Sequence, residues 1–129
     1  MKVYSAWDNS ARTILHIVHE RDWTWSELHR HDETVLPQMM ADITHPIGVI
    51  VDMLQSPYFP AESFAQHIQR SSAVYTRYDI DGVVFVIRES DIGELLLSAH
   101  RRFGTPGRLY CVAGSLEEAR AILAQRDGV

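Results

Sequence analysis

The sequence predicts an α/β domain built on a mostly parallel sheet. Three observations carry this. Residues 47–51 (IGVIV) are apolar without polar alternation, and so are residues 83–87 (VVFVI). A strand with one wet face alternates, whereas a continuous apolar run suits a strand covered on both faces. From residue 20 onward, helix-like stretches separate the strand-like ones, which makes the later strands parallel through right-handed crossovers. The resulting order is β-β-α-β-α-β-α-β-α, a five-stranded sheet with an antiparallel N-terminal strand, covered by helices. The run ending in Asp52 is the expected centre of that sheet.

Each element has its own signal. Residues 2–7 and 13–19 (TILHIVH) are strand-like around the turn residues Asp8-Asn9-Ser10, which reads as a hairpin with the first strand at a sheet edge. Thr24 and Glu27 have the spacing of a capping box, and Trp23 and Leu28 that of a hydrophobic staple. Leu28, Val35, Leu36, Met39, Met40 and Ile43 continue a helix. Pro37 should break or bend it near residues 33–34, with Thr34 as a fresh cap and Pro37 in the first turn of the new start. Pro60 suits the first position of a short helix over residues 61–70; residues 71–81 are ambiguous and Asp81-Gly82 reads as a turn. Ser90-Asp91 can cap a helix whose inward stripe is Ile92, Leu95, Leu96, Ala99 and Phe103. Arg101 and Arg102 suit its last turn, and Gly104 and Pro106 stop it. Residues 109–112 form the last strand. Ser115 and Glu118 box the last helix, which turns Leu116, Ala119, Ile122 and Leu123 inward, and residues 126–129 are expected to fray.

The 129 residues suit one domain, 1–129, large enough to bury a core without staples. A net charge of −5 with no basic block argues against nucleic-acid binding, which depends on Lys and Arg meeting phosphates. The single cysteine, Cys111, lies in an apolar run and reads as a small buried hydrophobe; a reducing, cytoplasmic setting is expected. No apolar run approaches the ~20 residues needed to span a bilayer, and no signal-peptide core opens the chain. The exposed N-terminal edge strand makes a homodimer an option.

Several segments together resemble the SpoIIAA-like fold shared by STAS (anti-sigma-factor antagonist) and SEC14-type domains. They are the hairpin around Asp8-Asn9, Trp23-Thr24-Trp25 opening a helix, Ile50-Val51-Asp52 ending the third strand, residues 83–87 before a helix, and residues 109–112 followed by Gly114-Ser115-Leu116-Glu117-Glu118-Ala119. The likeness spans nearly the whole chain and is structural in kind. It implies a regulatory module with a protein partner. STAS antagonists carry a phosphorylatable serine in an Asp-Ser-Ser-Gly-like motif after the third strand. That motif is missing here: the equivalent region is Phe59-Pro60-Ala61-Glu62-Ser63, so the phosphoswitch is not carried over.

The chemistry-bearing residues form no catalytic kit in the sequence. His16 and His19 are three apart on a strand and point to opposite faces; His29 and His31 diverge on a helix, and no HExxH occurs. No metal and no cofactor are therefore expected, and the seven histidines suggest only pH sensitivity near 6.5. Ligands of open α/β sheets bind beyond the carboxyl ends of the strands. The candidate binding rim is Gln55, Ser56, Tyr58, Phe59, Glu62, Ser63, Arg88, Glu89, Ser90 and Ser115, with Tyr58-Phe59 between prolines as a candidate partner patch. The expected function is a non-enzymatic STAS-like regulatory or protein-binding module. The alternatives are a SEC14-like small-molecule or lipid binder with a pocket lined by Met39, Met40 and Phe64, and an enzyme using Arg88, Glu89 or His100.

Overall fold

The computed structural model describes residues 2–56, 60, 62–88 and 90–126, with the backbone alone at residues 90 and 91. One sheet organises it, in the order β1 (Val3–Trp7), β2 (Ile14–His19), β3 (Ile47–Asp52), β4 (Ile80–Val86), β5 (Leu109–Ala113). β1 runs antiparallel to β2; the other pairings are parallel. The register aligns Ile17, Val51, Phe85 and Val112 in one row across four strands. β3 is therefore central, and Val49 and Ile50 are fully buried on its opposite faces.

The strands follow one another in space as in sequence, so every crossover steps the same way. Crossovers of one hand then place their helices on one face. That face carries α1 (Trp25–Arg30), a π-helical turn (His31–Val35), α2 (Leu36–Met40), α3 (Phe64–Tyr75) and α4 (Ser90–Phe103). Their Leu28, Leu36, Met40, Ile68, Leu96 and Leu97 join Leu15, Ile17, Val49, Val83 and Phe85 in the larger core. The other face holds a smaller core of Ile50, Val84, Val86 and Ala113, closed by Ala119 and Leu123 of α5 (Leu116–Arg126). Cys111 packs half-buried against it.

The Thr24–Glu27 capping box forms with both bonds, Glu27 N–H to Thr24 Oγ1 at 3.2 Å and Thr24 N–H to Glu27 Oε1 at 3.1 Å. Trp23 and Leu28 on either side of it are buried in the same core. Several expectations change. The helix does not restart at Thr34. It widens into the π-helical turn, closed by the Leu36 N–H donating to His31 C=O, and Thr34 donates its hydroxyl to Arg30 C=O. The wide turn seats Pro37 in the first turn of α2 without the missing N–H breaking a regular ladder. α3 starts at Phe64, four residues after Pro60, and extends through the ambiguous stretch to Tyr75.

Asp81-Gly82 lies within β4 rather than in a turn. Gly82 and Gly48 are where α5 comes closest: a Cβ at Gly82 would sit 3.1 Å from Leu123, and one at Gly48 2.9 Å from the Arg126 guanidinium. Of the residues expected to fray, 127–129 lie outside the described residues and Arg126 is held in place. It donates to Asp81, to Leu123 C=O and to Thr13 C=O, so it pins α5 across the sheet. On α4, Leu95 points to solvent and Leu97 takes the buried place expected for it.

Candidate functional site

The inward stripe of α3 is Ile68, Ser71, Ser72 and Tyr75, at offsets +3, +4 and +7 along one helical face. A helix lying on a sheet normally fills such positions with apolar side chains; three of these four are polar. Ser71 and Ser72 are both buried. Buried hydroxyls need partners or they destabilise the fold, and following those partners leads to two linked features.

The first is a buried polar network. Asp32, with no exposed surface, accepts from Ser71 Oγ at 2.6 Å, Tyr75 OH at 3.1 Å and His31 Nδ1 at 3.0 Å. His31, also fully buried, places Nε2 3.0 Å from Ser5 Oγ on β1. One carboxylate thereby ties β1, the π-helical turn and α3 together. Burial and the neighbouring Asp32 push the Tyr75 phenol well above its ordinary range, so it stays a donor. The π-helical turn makes the convergence possible: it sets the adjacent side chains of His31 and Asp32 both inward, which regular helical spacing would not do.

The second feature is a cavity of about 50 Å³ between the sheet and α1, α3 and α4. Its floor is Ile17, Val51 and Phe85, its walls include Ser71, Ser72 and Tyr75, and His19 and His100 face it. Burial holds the His19 imidazole down to about 3, with its ring edge-on to Trp23 at 4.6 Å. Burial likewise pushes His100 down to about 4, although its Nδ1 makes a 3.0 Å bond to Leu96 C=O. Both are neutral at neutral pH, so neither supplies a switch near 6.5. His19 Nδ1 and Ser72 Oγ meet no protein partner among the described residues. An apolar cavity of roughly 150 Å³ is needed to seat benzene; about 50 Å³ suits one or two water molecules hydrogen-bonding those atoms. Arg108, at the edge, is committed to the carbonyls of Ile80, Tyr75 and Tyr78 at 2.6, 3.3 and 3.3 Å, which closes the C-terminal end of α3. Met39, Met40 and Phe64 do not line the cavity.

The strand-end rim is assembled in part. Met53 N–H donates to Val86 C=O and Ile87 N–H to Ala113 C=O, so the segments after β3, β4 and β5 leave the sheet at one end. Gln55, Glu62, Ser63 and Arg88 are exposed there or on the loop that follows β3. Ser56 is buried instead of presented, and Ser115 Oγ accepts the Glu118 N–H at 3.1 Å as a cap of α5. Tyr58, Phe59 and Glu89 lie outside the described residues, as does the side chain of Ser90. The loop is anchored at Pro60, whose C=O accepts from Trp25 Nε1 at 2.9 Å. Ser63, next to α3, has φ +56° and makes no side-chain cap.

Two histidine pairings could not be read from local spacing. His16 Nε2 meets Asp52 Oδ2 at 2.9 Å on the α5 side of the sheet. Burial there pushes the Asp52 carboxyl up, but His16 and the Leu54 N–H outweigh it and hold the group below its ordinary range. His29 Nε2 meets His67 Nδ1 at 2.8 Å, and the His67 ring stacks on Trp25. Among the described residues no three Cys, His, Asp or Glu side chains gather as a metal site, and no helix is long and apolar enough to cross a membrane. Comparison with protein-family models, curated proteins and solved structures finds no match to this chain.

Proposed function

We propose that the chain is a regulatory binding module of the SpoIIAA-like kind, working through protein contacts on the loop after β3 and the first turn of α3. The observation that carries this reading is Ser63. It holds a left-handed backbone that a non-glycine residue adopts only at a cost, without a capping bond among the described residues to offset it. Outliers of this sort gather at binding loops, where the surrounding scaffold holds them. The scaffold here is the Trp25–Pro60 bond on one side and α3 on the other. Glu62, Ser63 and Gln55 are exposed on the same loop. Affinity capture with the wild-type chain, compared with Glu62→Arg and Tyr58→Ala variants of unchanged melting temperature, tests it. Partners held by the wild type and lost by both variants support the reading; an identical partner set for all three removes it.

The SEC14-type reading is second. It calls for an inner cavity, and one lies in the expected layer between sheet and helices. Its volume of about 50 Å³ is far below what an acyl chain needs, which favours the first reading. A lipid mass carried through native mass spectrometry of the purified protein would reverse that preference.

A further inference from the structure

Ser5, His31 and Asp32 stand in the relation of nucleophile, base and orienting carboxylate. Ser5 Oγ is 3.0 Å from His31 Nε2, and His31 Nδ1 is 3.0 Å from Asp32 Oδ1. Asp32 accepts the Nδ1–H, which leaves Nε2 as the acceptor for the serine proton. Ser71 and Tyr75 donate to the same carboxylate, so it is held in place from the α3 side. His31 and Asp32 are fully buried, whereas Ser5 is only half-buried. Ser5 thus covers His31 Nε2 in the resting state, and the nucleophile is the reachable member of the three.

The strand supplies a further part. Among the described residues β1 has a sheet neighbour on one side only. Asp8 N–H donates to Ile14 C=O and Glu20 N–H to Lys2 C=O, so the even-numbered residues of β1 bond inward to β2. By antiparallel alternation, the N–H of Ser5 then points out of the open edge. A backbone N–H of the nucleophile itself is the kind of donor that stabilises an oxyanion. Trp7, two residues along β1 and on the same side of the sheet, offers an apolar wall for an acyl group.

We propose that Ser5, His31 and Asp32 form a hydrolytic site for carboxylic esters with small acyl groups, an activity separate from the loop-mediated binding and independent of it. Ser5 Oγ bonds to the acyl carbon as His31 Nε2 takes the hydroxyl proton. The ester C–O bond breaks and the leaving alcohol takes that proton from Nε2. Water, losing a proton to His31, then attacks the acyl-serine and releases the acid, which restores Ser5. Ester and water become acid and alcohol, with nothing oxidised or reduced.

The test uses the full chain with a fluorophosphonate probe and p-nitrophenyl acetate. The expected result is one covalent phosphonyl adduct by intact mass, mapped to Ser5 by peptide sequencing. Ester hydrolysis by Ser5→Ala should fall at least ~100-fold, the scale on which a positioned base acts, when assayed well below the variant's melting temperature, which drops because buried His31 Nε2 loses its partner. No adduct on the wild-type chain, an adduct on another residue, or undiminished hydrolysis by Ser5→Ala would each overturn the proposal. A hydrogen bond that merely fastened β1 would give no adduct. The wild-type labelling result therefore stands even where a variant folds poorly.

Discussion

The two faces of the sheet solve burial in different ways. The α5 face is close-fitting: glycines at 48 and 82 let the helix down onto Ile50, Val84 and Val86, and its polar groups are separate ion pairs, the half-exposed Asp8–Arg120 and the His16–Asp52 pair with its buried carboxyl. The face under α1–α4 is larger and holds polar groups deep inside, with Asp32, His31, Ser71, Ser72 and His19 all buried. Apolar packing alone would stabilise that face as well. What the polar interior adds is specificity of position, since Asp32 is satisfied only if β1, the π-helical turn and α3 are all in place. The comparison sets a face held by apolar packing and isolated ion pairs against one whose core is organised by a shared polar network.

Substitutions can break or sharpen that contrast. The largest effect is expected from Asp32→Ala, which strands three donors in the core. With each unsatisfied donor costing about 1–3 kcal/mol, urea unfolding should show a loss of about 4 kcal/mol or more. Leu123→Ala on the apolar face should cost about 3 kcal/mol, through lost transfer energy and a residual cavity. If Asp32→Ala costs less than Leu123→Ala, the polar face is not the more tightly specified one.

Acid should also separate the faces. His19 is held near 3 in the folded chain and returns to about 6.5 on unfolding. Between those values the unfolded chain binds the extra proton, so the contribution is complete above pH 6.5 and lost as pH falls toward 3. The slope is about 1.4 kcal/mol per pH unit for such a group, and His100 acts the same way down to about 4. His19→Leu should flatten the stability-versus-pH curve between pH 6 and 4; an unaltered slope would mean His19 is not buried neutral. The smallest effect belongs to Arg120→Ala. Its pair with Asp8 involves a half-exposed guanidinium, and a change of about 0.5 kcal/mol or less is expected in the same unfolding assay.

Most of the architecture was legible in the sequence because it rests on local signals. The uninterrupted apolar runs marked β3 and β4, the Thr24–Glu27 box marked the start of α1, and the Ser115–Glu118 box that of α5. Misplaced features were those set by distant partners. Asp81-Gly82 looks like a turn until Leu123 is seen needing the room, and Thr34 looks like a cap until the π-helical turn carries the irregularity that Pro37 calls for. The site was less legible for the same reason. Ser5, His31, Asp32 and Ser71 are scattered over three elements, and only their register brings them together. One signal was present: Ser71, Ser72 and Tyr75 recur at core spacing after Ile68, which is polar where a buried helix should be apolar.

Arg126 reaches back to the carbonyl of Thr13 and to Asp81, so the smaller core is sealed by a residue made 113 positions after one of its contacts. During synthesis, a nascent chain that has reached only β5 presents Ile50, Val84 and Val86 as an uncovered oily strip. Such half-built sheets are prone to stick to one another. The yield of correctly made protein should therefore depend on how soon the final helix follows β5, which makes C-terminal truncation a more damaging lesion for this molecule than trimming at its first strand.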